Sequence, residues 1–139
     1  MFTTKGFFSI VEHKKDPNLV VIRARVRKDI ESIKMLFEEL GFEVSDVEEN
    51  VSFDYRYRVL AGRSDWASVT VQLITDVGYT NFKNAVYETD SPEIKDKRHE
   101  AYLDIWAIMH ELQFRDAREP PVSSCRIVLR SRTGCNCLG

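Results

Sequence analysis

Alternation of apolar and polar positions near the N-terminus predicts two antiparallel strands. An apolar run at residues 7–11 is followed by a polar, turn-forming connection at 13–18, which leads directly into a second alternating segment at 19–27. Side chains of a strand alternate between two faces, so the apolar positions of the second segment share one side: Val20, Ile22, Ala24 and Val26. We therefore expect a hairpin that directs one face at a core.

The spacing of apolar residues then lengthens to three and four, which is the period of an amphipathic helix. One such helix is predicted before a strand at residues 53–60, and a second lies between Gly62 and Gly78. The triplet Ser91-Pro92-Glu93 combines an N-cap, a first-turn proline and a first-turn acid. It predicts the start of a long helix that runs to about Phe114.

The order strand-strand-helix, repeated and followed by a further helix, predicts an α+β fold. We expect a two-layer sandwich of an antiparallel sheet covered by helices, ferredoxin-like or related, with a long C-terminal helix. The 139 residues suit one ordinary domain, which we assign to residues 1–116. Residues 117–139 are rich in Ser, Arg, Cys and Gly, and we expect them to form a flexible basic tail that contains all three cysteines.

The charge distribution restricts the classes of partner. The net charge is −2, but the tail carries four arginines against one glutamate, which leaves 16 basic and 21 acidic residues before it. This excess of acid argues against broad nonspecific DNA binding, so any basic site is local. Without an apolar run of about 20 residues or a secretory leader, we predict no membrane segment and a cytoplasmic location.

Five arginines form the leading candidate site. Arg23, Arg25 and Arg27 alternate along the second strand, and Arg56 and Arg58 alternate along the strand at 53–60. If both strands lie in one sheet with their apolar sides on the helices, the five guanidinium groups converge and suit phosphate or carboxylate oxygens. The alternative, to which we give equal weight, is a solvated face whose arginines pair with neighbouring acidic residues.

Two residues beside these arginines extend the candidate site. Asp54 shares the predicted strand face with Arg56, so it would orient a guanidinium group or act as an acid or base, although an ion-pair partner is the more common role. Tyr55 is placed to stack on a base. The sequence predicts no catalytic pair, no metal site and no cofactor, since the histidines are dispersed and the cysteines lack zinc-finger spacing.

A second candidate site follows Gly78. Asn81 and Lys83 are suited to holding a phosphate there, with Tyr79 or Phe82 stacking against a ligand. The alternative, which we favour, places Phe82 in the core and gives Asn81 the task of closing a turn.

Four segments carry a resemblance to a family of short uncharacterised bacterial and phage proteins. They are Gly6-Phe7-Phe8-Ser9-Ile10-Val11, the arginine strand from Val21 to Ile30, Asp54-Tyr55-x-Tyr57-Arg58, and Tyr79-x-Asn81-Phe82-Lys83. The resemblance covers roughly residues 5–114 and implies a prokaryotic or viral source. The family has no established activity, so the resemblance transfers no site residue, cofactor or partner.

Three hypotheses of function follow. The first is a noncatalytic protein that binds an anionic, nucleotide-like or phosphorylated ligand on its arginines, to sense or sequester it; a phage origin would suit interference with host defence signalling. The second is an interaction or inhibitor protein whose arginines meet an acidic protein surface. The third is a small metal-dependent nuclease that uses Asp54, although no second carboxylate accompanies it. The sequence also leaves a homo-oligomer open.

Overall fold

The computed structural model describes residues 1–118, with side chains through residue 116. These residues divide into two compact units, one at Met1–Lys95 and one that begins at Asp96. The assignment of residues 1–116 to a single domain stays a prediction. The predicted tail lies outside the described residues from residue 119 onward.

The first unit contains a five-stranded sheet in the order β1-β2-β3-β5-β4. Every neighbouring pair of strands is antiparallel, which confirms the predicted sheet. The strands are β1 (Phe2–Thr3), β2 (Gly6–Glu12), β3 (Leu19–Ala24), β4 (Glu48–Glu49) and β5 (Tyr57–Gly62).

Helices α1 (Arg27–Glu39) and α2 (Arg63–Thr75) pack on the sheet. The core between the layers holds alternate residues of the three long strands and the apolar sides of both helices; its fully buried members include Phe8, Ile22, Ile30, Ile33, Phe37, Val59 and Val69. Because each such side chain contributes about 1.5–3 kcal/mol on burial, this layer contact stabilises the fold. The α+β class and the helix-covered sheet are confirmed.

Two further helices follow, α3 (Phe82–Thr89) and α4 (Lys95–Arg118). The long C-terminal helix is therefore confirmed, whereas α3 was not expected from the sequence. Within the described residues, no helix combines the length and the apolar character needed to cross a membrane.

Asp29 explains why the second strand is shorter than predicted. The strand ends at Ala24 and Arg27 already belongs to α1, so the assignment of 19–27 to one strand was wrong at its end. Asp29, in the first turn of α1, is buried and accepts a hydrogen bond from the Phe7 backbone N–H at 3.1 Å. The helix start is thereby joined to the beginning of β2, which positions the chain after β3.

The strand predicted over residues 53–60 begins only at Tyr57. The segment before it, which we call the 50–56 loop, is closed by Asn50: its side chain accepts from Ser52 N at 2.9 Å, and its backbone N–H donates to the Arg56 carbonyl at 2.9 Å. Such local side-chain bonds offer the backbone an alternative to a strand ladder. Asp54, Tyr55 and Arg56 consequently lie outside the sheet.

Candidate arginine site

Arg23 and Arg58 are facing residues of β3 and β5. Their chain neighbours Ala24 and Val59 are buried in the core, so both arginines project from the opposite, outer face of the sheet. Facing residues of antiparallel strands have Cβ atoms about 4.5–5.5 Å apart. Two positive side chains therefore share one small area of the outer face.

The contacts of these two guanidinium groups include no carboxylate within the described residues, although Glu48 on β4 is the facing residue of Arg58. Arg23 Nη2 donates to Ser9 Oγ at 2.6 Å, and Ser9 is the facing residue on β2. The Nε atoms of Arg23 and Arg58 are buried and have no hydrogen-bond acceptor within residues 1–118. Over the same range, neither arginine forms an ion pair. Buried donors without acceptors favour the arrival of an external acceptor.

Aromatic residues of the 50–56 loop lie over these arginines. The ring centroid of Tyr55 is 4.8 Å from Arg23 Cζ and 4.1 Å from Arg25 Cζ, and the ring centroid of Phe53 is 4.0 Å from Arg58 Cζ. Each cation–π contact of this kind contributes about 0.5–1 kcal/mol where solvent is near. Tyr55 therefore stacks on arginine side chains, and its stacking on a base stays a prediction.

Asp54 binds Arg25. Arg25 Nη2 lies 2.9 Å from both carboxylate oxygens, and this hydrogen bond raises the pKa of Arg25 above its ordinary value. Both side chains are exposed, so the pair contributes at most about 1 kcal/mol. The expectation that Asp54 shares a strand face with Arg56 was wrong, because both residues precede β5.

Glu49 compensates the remaining two arginines. Its carboxylate lies 3.1 Å from Arg27 Nη1 and 2.7 Å from Arg56 Nη2. Arg27 also donates to Glu31 at 2.8 Å, and this hydrogen bond is the main reason that the pKa of Arg27 is raised. The prediction of five arginines on two strand faces was therefore wrong: Arg27 is on α1, and Arg25 and Arg56 lie just beyond the strands.

The residues of the second candidate site lie at the start of α3. Asn81 is the N-cap of α3, and its side chain accepts from Asn84 N at 3.2 Å. The Tyr79 ring lies 6.0 Å from the Phe82 ring, and Lys83 is the second residue of the helix. The structure places these residues at α3, whereas the arginines lie on β3, β5 and the adjoining segments.

Sequence reasoning missed Ser9 and Phe53, which contact Arg23 and Arg58 respectively. Period-two alternation puts Ser9 on the outer face, but only the strand register identifies its neighbour. Among the described residues, no group of three or more His, Cys, Asp or Glu side chains is arranged to hold a metal ion. Comparison with protein-family models, curated proteins and solved structures finds no match.

Proposed function

We propose that the protein is a noncatalytic binding protein that holds a nucleotide-like or otherwise phosphorylated ligand on its outer sheet face, with Arg23 and Arg58 as the phosphate-binding pair. One observation carries the proposal: these two arginines face each other and form no ion pair within the described residues, while the three arginines around them are paired. Like charges directly opposite on neighbouring strands are destabilising. A bound anion would remove that repulsion.

The chemistry of the arginines fits a phosphate group. A guanidinium group presents a planar fork of donors, and two facing forks match the several acceptor oxygens of one phosphate. The Tyr55 and Phe53 rings now stack on guanidinium groups, and the same ring faces would suit a nucleobase. Ligand entry would require the 50–56 loop to move away from the arginines.

The biological role that we propose is sensing or sequestering such a ligand in the cytoplasm of a bacterial or phage-infected cell. This role is supported by the resemblance to bacterial and phage proteins. In a protein of viral source, binding the ligand would serve to interfere with host defence signalling. Asp54 is an ion-pair partner of Arg25, since both of its oxygens accept from the Arg25 side chain. The nuclease hypothesis gains nothing from that geometry.

A thermal-shift and calorimetric screen tests the proposal. Mononucleotides, cyclic dinucleotides and inorganic phosphate at millimolar concentration should include at least one that raises the melting temperature, because a ligand of the native state stabilises it. Arg23→Gln and Arg58→Gln should each weaken binding of that ligand by at least tenfold, which corresponds to about 1.4 kcal/mol of binding free energy.

Arg63→Gln is the matched control, since it removes the same charge. Arg63 is the first residue of α2, directly after the far end of β5, where it pairs with Glu12 at 2.6 Å. Its substitution should leave binding unchanged. An absence of any shift, or equal losses in all three variants, would overturn the proposal.

An acidic protein surface is the second candidate partner. The side chains of Arg25, Arg27 and Arg56 are each about half exposed despite their ion pairs, so the basic surface is wider than one phosphate requires. Copurification of a stoichiometric acidic protein, lost in Arg25→Gln and Arg56→Gln but retained in Arg63→Gln, would favour this candidate.

A further inference from the structure

Helix α4 exposes an unusual amount of apolar surface. Beyond Tyr102, seven large apolar side chains are 37–65 % exposed. They are Leu103, Ile105, Trp106, Ile108, Met109, Leu112 and Phe114. A helix that is apolar around most of its circumference is normally buried against other protein. The exposed part of α4 therefore suits a protein partner.

Most of these side chains form one stripe. At 3.6 residues per turn, Ile105, Ile108, Met109 and Leu112 follow one side of the helix and Trp106 borders it. Glu100, Asp104, Glu111 and Arg115 occupy a narrow polar side next to the stripe. This pattern resembles the seam of a helix pair, in which charged residues flank an apolar contact.

The area of the stripe matches a helix pair. A large aromatic side chain presents about 150–250 Å² and aliphatic side chains present less, so the four stripe residues and Trp106, each about half exposed, offer at most about 500 Å² of apolar surface. About a third of an interface is polar, which brings the total to roughly 750 Å². Stable interfaces bury about 800 Å² per partner.

The stripe and its charges are self-complementary in an antiparallel pair. When Ile105 faces the partner's Leu112, the reverse contact forms as well, and Ile108 and Met109 meet at the two-fold axis. Asp104 then lies within about 3 Å, measured along the axis, of both Arg115 and Glu111 of the partner subunit, and of these two residues Arg115 lies nearer the stripe. Eleven residues separate positions 104 and 115, close to three full turns, so they lie on the same flank of the stripe.

We propose that α4 is a homodimerisation helix that pairs antiparallel with α4 of a second copy of this chain. Ile105, Ile108, Met109 and Leu112 form the apolar seam, and Asp104 forms an ion pair with Arg115 of the partner subunit at each end. Arg115 also pairs with Glu111 on its own helix at 3.2 Å, so it would bridge two carboxylates. Closed two-fold pairing is the most common symmetry of soluble oligomers.

Charge reversal tests both the partner and the orientation. Sedimentation equilibrium of the full chain should show a dimer at micromolar concentration. Asp104→Arg and Arg115→Asp should each weaken the dimer by about threefold to tenfold, and the double variant should recover most of the affinity. Ile108→Glu should give a monomer whose circular dichroism and sheet stability are unchanged.

Three results would overturn the proposal. One is a wild-type monomer at 100 times the protein concentration of the first measurement. Another is a dimer that Ile108→Glu leaves intact, which would place the interface elsewhere. The third is binding of α4 to phosphatidylserine vesicles by the monomer, lost in Ile108→Glu, which would assign the stripe to a lipid surface.

Discussion

Arg23 and Arg58 face each other across β3 and β5, and a single serine hydroxyl is the only side-chain hydrogen-bond acceptor that the described residues give to the pair. The neighbouring arginines differ, because each has a carboxylate partner. Within the described residues, Arg25, Arg27 and Arg56 thus contact carboxylates, whereas Arg23 and Arg58 contact none, and Glu48 on β4 is the facing residue of Arg58. That contrast makes the Arg23–Arg58 pair the place to look for an external anion.

Arg58→Met should stabilise the unliganded protein. The substitution removes a like charge opposite Arg23 and a buried Nε donor without acceptor, and the methionine sulfur replaces the lost cation–π contact with the Phe53 ring, so the variant is favoured by about 0.5–1 kcal/mol. Arg56→Met is the matched control and should be neutral or destabilising, since the variant loses the ion pair between Arg56 and Glu49. Urea unfolding measures both. A greater loss of stability in Arg58→Met than in Arg56→Met would contradict the account of the pair.

Asp54→Asn should strengthen binding of a phosphorylated ligand by about twofold to fivefold, because the variant frees Arg25 from an exposed ion pair worth at most about 1 kcal/mol. Isothermal titration calorimetry with the ligand found by the screen measures this. Asp46→Asn, which removes the same charge away from the site, is the control. Lost binding in Asp54→Asn would assign Asp54 a direct role in holding the ligand.

Gly6→Ala should destabilise the fold by roughly 2 kcal/mol or more. Gly6 has φ +143°, and a Cβ atom there would lie 2.4 Å from Asp29 Cγ. Gly78→Ala is the control, since a Cβ atom at Gly78 meets nothing within 4 Å. Thermal unfolding of both variants measures the difference. Equal stability of the two would show that Asp29 can move at little cost.

The Lys34–Asp46 pair should make a pH-dependent contribution to stability. A hydrogen bond from Lys34, at 2.9 Å, lowers the pKa of Asp46 below its ordinary value of 3.8. Its contribution is therefore fully present above pH 3.8 and is lost as the pH falls through the lower, folded-state pKa. Asp46→Asn should destabilise the protein at pH 7, and the difference from wild type should shrink by pH 2.5. Urea titrations at both values measure it; a constant difference would contradict the assignment.

The sequence predicted Arg23 on the outer face because the period of two holds from Val20 to Ala24. It failed at Arg27 because the helical spacing of Ile30 and Ile33 already governs that position. The group that anchors the helix start, the Phe7 backbone N–H, is remote in sequence.

The 50–56 loop was missed for a similar reason. Alternation of aromatic and charged residues there imitates a strand, while the Asn50 side chain closes a turn instead. Arg23 and Arg58 face each other because of the register between β3 and β5. This register pairs residues 35 positions apart, and no local sequence pattern specifies it.

The Asp54 carboxylate is tethered beside Arg25, so any incoming anion meets a built-in competitor. A group held by a short segment acts at an effective concentration in the millimolar range or above. Singly charged carboxylates and chloride at ordinary cellular concentrations would therefore compete poorly with Asp54 for Arg25. A phosphate dianion that also reaches Arg23 and Arg58 gains two further guanidinium groups that Asp54 does not occupy. If the proposed site binds a phosphorylated ligand, the 50–56 loop would therefore favour phosphate dianions over singly charged anions.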